Sequence, residues 1–223
     1  MRELYDTHAH LDQIEEPERA LDGARQAGVV GIVAVGVDMS SNERVLRMSQ
    51  MWPDIVRPAL GLHPCDMAGR DEASIARELD FIRQNLHSAR AVGEIGLDYH
   101  KRTLGDVPRE LQQETMREVL ALAAEGRVPA LVHSRYAWTD ALRLVLESHV
   151  ERVVFHWFTG FASVLNAIID SGYYVSATPA AQYHEAGPVA RLRRSLGNHL
   201  RRQGVVEIAR LHRHPAHRFI CRG

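Results

Sequence analysis

The feature that most constrains this chain is an alternation. Seven short apolar runs fall at residues 4–5 (leading into Thr7-His8-Ala9-His10), 29–37, 55–62, 91–97, 129–133, 153–156 and 173–177. Amphipathic stretches at 17–27, 41–51, 72–86, 109–125, 139–147 and 162–170 separate them. Apolar runs of strand length that alternate with helical periodicity predict βαβ units, hence an α/β fold with a parallel sheet and helices outside it. Glycines 28, 126 and 172 stand where several of these helices are expected to stop. Seven such units come close to a (β/α)8 TIM barrel, which takes about 250 residues. With 223 residues the chain is short by one βα unit. The expectation is therefore an incomplete barrel of seven recognisable strands, its eighth unit missing or replaced. The barrel is expected over residues 1–186, followed by an atypical basic tail over 187–223.

Composition removes several alternatives. No stretch approaches 18 uninterrupted apolar residues, so no transmembrane helix is expected. The N-terminus has no hydrophobic region of the secretory kind, and the two cysteines, Cys65 and Cys221, form no CxxC. The expected location is the cytoplasm, with no membrane contact and no stable protein partner inferred. A net charge of −1 hides an uneven distribution, −9 over residues 1–188 and +8 over 189–223.

The chemistry-bearing residues sit at the ends of the apolar runs. His8 and His10 are two apart, which on a strand points both imidazoles to one side and makes half of a metal site. Glu94 lies inside Val92-Gly93-Glu94-Ile95-Gly96-Leu97, where a carboxylate must be paired, neutralised or metal-bound. His133 and His156 each close an apolar run, at the strand end where barrel active sites form. Any one of these alone reads as a satisfied core residue. Five in chain order at successive strand ends read as a metal site.

The motifs Asp6-Thr7-His8-Ala9-His10-Leu11-Asp12, Gly61-Leu62-His63-Pro64, Gly93-Glu94-Ile95-Gly96-Leu97-Asp98-Tyr99, Val132-His133-Ser134-Arg135 and His156-Trp157-Phe158-Thr159-Gly160 together resemble the TatD family of metal-dependent hydrolases, over residues 4–184. The resemblance implies two divalent ions (zinc, manganese or magnesium), with His8 and His10 on one, His133 and His156 on the other, and Glu94 bridging them. It implies a metal-activated water that cleaves phosphodiester bonds, with DNA, as single strands or 3′ ends, as substrate. The alternatives are ester or amide hydrolysis within the same superfamily, for example aminoacyl-tRNA deacylation, or a catalytically dead relative that binds metal or nucleic acid. Glu94, His63 and Arg135 are the expected catalytic residues. For His63 the rival reading is a cap on the Pro64 turn, and for Arg135 an ion pair with a carboxylate behind the ligands. Asp98 is read either as orienting a ligand histidine or as a turn residue. Trp157 and Phe158 are read either as base-stacking or as packed under a helix.

The resemblance breaks at its end. The family closes its eighth strand with Glu-Thr-Asp, whose aspartate binds metal and serves as base, and no such motif follows His156 here. Glu207 is the one later carboxylate on a short apolar run. Of the 27 basic residues 26 are arginine, as in a GC-rich gene, and the arginine-rich text after Gly187 reads as a frameshifted end. A genuine basic tail that binds nucleic acid is the alternative. Either way, impaired activity is expected.

Overall fold

A computed structural model describes residues 3–176. The boundary at residue 186, the basic tail, Glu207 and any eighth unit lie outside the described residues. Within them, seven strands form one sheet in sequential order, every neighbouring pair parallel. The strands are β1 (Leu4–Ala9), β2 (Val29–Val35), β3 (Val56–Leu60), β4 (Ala91–Asp98), β5 (Ala130–Arg135), β6 (Val153–His156) and β7 (Tyr174–Val175). The helices are α1 (Pro17–Gln26), α2 (Met39–Met51), α3 (Glu72–Asn85), α4 (Lys101–Asp106), α5 (Arg109–Gly126), α6 (Trp138–Ser148) and α7 (Ala162–Asp170).

The sheet is curled, as the barrel expectation requires. His8 on β1 stacks on His156 at the end of β6, ring centroids 3.5 Å apart, although these strands are not neighbours in the sheet. The curl separates two apolar layers. The larger lies between sheet and helices and includes Leu21, Val45, Ile82, Leu120, Leu144 and Ile168. The smaller, Val35, Ala59, Ala91 and Leu131, draws one residue from each of the four neighbouring strands β2 to β5.

Local signals fix the element ends. Asp38 and Ser41 form a reciprocal capping box, so α2 starts two residues earlier than its apolar period suggests. Asp71 caps α3 by accepting from the Ser74 amide. Gly28 and Gly172 take the left-handed conformation expected after a helix, but α5 runs through Gly126 and Arg127 adopts that conformation instead (φ 51°). The helix α4 has no counterpart in the sequence reading, because six residues with a glycine among them carry no usable period. Two strands run further than their apolar cores: β4 reaches Asp98 and β5 reaches Arg135, which puts both residues on the rigid sheet rather than in turns.

Candidate metal centre

Every residue of β4 is buried, and Glu94 is its centre. Gly61, just past β3, makes room for it, since a Cβ there would lie 2.5 Å from the Glu94 backbone nitrogen and oxygen. Asn42, fully buried at the start of α2, holds Gly61 by both backbone groups: its amide donates to the Gly61 carbonyl (2.8 Å) and its Oδ1 accepts from the Gly61 amide (3.0 Å). The Glu94 amide in turn donates to the Gly36 carbonyl. Three consecutive strand ends are thus locked together under the carboxylate.

The two oxygens of Glu94 face different histidines. Oε2 lies 3.4 Å from His8 Nε2 and 3.6 Å from His10 Nε2, and these two nitrogens are 3.4 Å apart. A four-coordinate ion with bonds of about 2.1 Å needs donors about 3.4 Å apart. The triangle fits such an ion. Oε1 lies 3.2 Å from His133 Nδ1, so the carboxylate is placed to bridge. Ligand-type atoms of His8, Glu94 and His156 lie within 4.8 Å of one another, as do those of His63, Glu94 and His133. This division differs from the one the resemblance implies: His156 groups with His8, on which its ring stacks nearly parallel (7°), while His63 groups with His133. The buried Nδ1 atoms of His8 and His10 have no hydrogen-bond partner.

The electrostatics suit a cation. Burial pushes the Glu94 carboxyl up, but His8 and a hydrogen bond from His133 outweigh it and hold the group well below the usual carboxylate range. Desolvation, then the neighbouring His8, lower both His10 and His156, the latter strongly, so these imidazoles stay neutral with lone pairs available. His133 differs. Burial opposes its charge, yet hydrogen bonds to Asp98 and Glu94 raise its pKa to about 9.

Asp98 is buried, and its Oδ2 lies 3.2 Å from His133 Nε2 and 3.8 Å from Arg135 Nη1. Its Oδ1 accepts from the His100 amide. Burial raises the Asp98 carboxyl, but the bond to His133 prevails and its pKa is lowered. From the last position of β4, Asp98 therefore faces His133 and Arg135 with one oxygen and holds the following turn with the other. The Arg135 side chain keeps 29% of its surface exposed, so the ion pair leaves part of the guanidinium open. His63 caps its turn, Nδ1 accepting from the Cys65 amide, and also faces the His133 ring at 4.5 Å. Phe158 is fully buried in the main core, which removes it as a base-stacking residue; it follows the last residue of β6 by two and points inward. Trp157 stacks on His156 at 5.2 Å.

Three supporting residues escaped the sequence reading: Asn42, Gln112 and Ser176. Gln112 on α5 is fully buried and bonds both backbone groups of Asp98, fixing the end of β4. Ser176 bonds His156 Nδ1 (3.2 Å) and the Trp157 amide (3.0 Å). As a polar residue inside the apolar run 173–177, Ser176 carries a weaker form of the signal that Glu94 gives. Gln112 carries none, because a glutamine in an amphipathic helix reads as solvent-facing.

A family model described as TatD related DNase matches residues 5–200. An uncharacterized metal-dependent hydrolase of Bacillus subtilis, YabD, is 33% identical over 180 residues, 78% of this chain and 68% of that protein. The 3′-5′ ssDNA/RNA exonuclease TatD of Dickeya dadantii is 30% identical over 165 residues, 72% of this chain and 60% of that protein. Among solved structures, YJJV, a TatD homolog from Escherichia coli K12, superimposes with a TM-score of 0.68 at 29% identity, covering 77% of this chain and 66% of that one. The chain thus spans about two thirds of the length of these relatives.

Proposed function

This chain belongs to the TatD-related DNase family of metal-dependent hydrolases, and from that premise we propose that it cleaves phosphodiester bonds in DNA, with single strands or 3′ ends as substrate. The observation that carries the reading is the two-sided Glu94 carboxylate, one oxygen toward His8 and His10 and the other toward His133.

In this reading His8, His10 and Glu94 hold one divalent ion, and Glu94 and His133 share a second with His156 or His63. When bound, such a pair supplies Lewis-acid stabilisation of the charge that develops on a phosphoryl oxygen and lowers the pKa of water. The chain's own residues do the positioning. Glu94 stays ionised inside the fold and fixes the spacing of both halves. Asp98 holds the His133 ring by Nε2, which leaves Nδ1 toward Glu94. The open part of Arg135 binds a non-bridging phosphate oxygen, and His63 approaches the same phosphate from the β3 side. The resemblance implies a Glu-Thr-Asp motif that is not found in residues 157–223, and slow turnover of this chain is part of the proposal. No helix among the described residues is long and apolar enough to cross a membrane.

The test is to incubate the full chain with end-labelled single-stranded DNA and manganese, magnesium or zinc, alongside an aminoacyl-tRNA. Metal-dependent shortening from the 3′ end, stopped by chelation and by Glu94→Gln, is the expected result. Deacylation without DNA cleavage refutes the phosphodiesterase reading.

A further inference from the structure

Among the described residues, four that are not glycine take a positive φ: Arg127 (51°), Tyr136 (56°), His149 (59°) and Trp157 (45°). Arg127 and His149 end helices α5 and α6, where left-handed residues are routine. Tyr136 and Trp157 do not. Each directly follows a strand that ends at the metal centre, β5 after Arg135 and β6 after His156. A bulky side chain in this region of backbone space is strained, and such strain collects at functional sites. At Tyr136 the strain holds an aromatic ring out on the rim of the site, 59% exposed.

Tyr136 is one member of a row. Its ring lies 6.1 Å from His100 on one side and 5.8 Å from Trp138 on the other. Trp138 meets Phe161 edge-on at 5.5 Å, and Phe161 is 64% exposed. The row runs along the C-terminal rim from the end of β4 to the segment after β6. It starts beside the candidate metal centre: the His100 amide donates to Asp98, and the Arg135 guanidinium lies 5.8 Å over the Tyr136 ring. Two widely exposed rings that flank a third, contiguous with a cationic side chain, suit flat π-faces joined by anionic links.

We propose that Tyr136 and Phe161 form a stacking platform for the nucleobases next to the scissile phosphate, a binding element for single-stranded nucleic acid that reads base planes without reading sequence. The proposal rests on the phosphodiesterase reading for its ligand class. A strand whose phosphate is held by Arg135 passes directly over Tyr136, and its next bases reach Phe161 along the row. Double-stranded ends, whose bases are already stacked on each other, gain nothing from these rings.

The test measures binding rather than turnover. The full chain, in chelator to prevent cleavage, is titrated by fluorescence anisotropy with labelled octathymidylate and with an abasic strand of the same eight phosphates. Wild-type protein is expected to prefer the base-bearing strand by about tenfold or more. Tyr136→Ala/Phe161→Ala should bind both strands alike, while Tyr136→Phe/Phe161→Tyr keeps the preference. Circular dichroism checks that each variant folds. If the alanine variant does not fold, the wild-type contrast decides alone. Equal binding of both strands by wild-type protein that still cleaves DNA with manganese overturns the platform and leaves the proposed function standing. A preference that survives in the alanine variant overturns it as well. A base preference without any cleavage supports the platform and refutes the activity. Neither preference nor cleavage overturns both.

Discussion

In the metal-free protein His133 sits between Glu94 and Asp98, 3.2 Å from each, and its pKa is raised to about 9. At neutral pH the imidazole therefore carries a proton that a divalent ion must displace to use it as a ligand. His10 and His156 are lowered and already neutral, and Glu94 is held ionised, so they add nothing to this count. At pH 7 the ion works about two pH units below the His133 pKa, a cost of about 2.7 kcal/mol or about 100-fold in apparent affinity. Raising the pH from about 6.5 to about 8.5 should strengthen binding about 100-fold, with a plateau above about 9. Calorimetric titration of chelator-treated protein with manganese, in buffers of different ionisation enthalpy, reads the released protons directly. The wild type should release about one proton more per protein than His133→Gln at pH 7. Equal proton release by the two proteins, or an affinity that stays flat over this range, refutes the reasoning.

The same groups set the stability of the metal-free protein. His133, with its folded pKa above the unfolded value, stabilises fully below about pH 6.5, and this is lost as pH rises through about 9; the lowered His10 and His156 stabilise above about 6.5 and lose this as pH falls. Melting temperature in chelator should therefore peak near neutrality and fall on both sides, and a monotonic profile would contradict the assignment. Asp98→Asn removes the charge behind His133 and Arg135, so His133 should titrate at lower pH by NMR; above about pH 9, where His133 is neutral in both proteins, the variant should bind metal about 10–100-fold more weakly in a competition assay. Gln112→Ala leaves the buried Asp98 amide and carbonyl without their partner and should cost about 1–3 kcal/mol in urea unfolding; an unchanged midpoint would show that another group takes over.

The strands were legible because each is a short apolar run, and the site residues because each is polar where such a run ends. Glu94 stood out as a charge that nothing nearby in sequence could satisfy. The nearness of His156 to His8 and of His63 to His133 was not legible. His8 and His156 are brought together by the curl of the sheet, a consequence of packing over the whole domain rather than of any local spacing. Phe158 shows the opposite limit: its neighbours in sequence are site residues, yet its side chain enters the core. Asn42 and Gln112 hold Gly61 and Asp98 from helices whose polar positions give no sign of facing inward.

The stacking of His8 on His156 joins the first strand to the sixth without a hydrogen bond between them. An ion held there would act as a clasp on the curl, closing a loop of nearly the whole described chain. Withdrawing it would release the first and sixth strands from each other. The concentration of free metal would then set how long the protein survives proteases as well as how fast it turns over, since a ligand that binds only the folded form stabilises it by mass action.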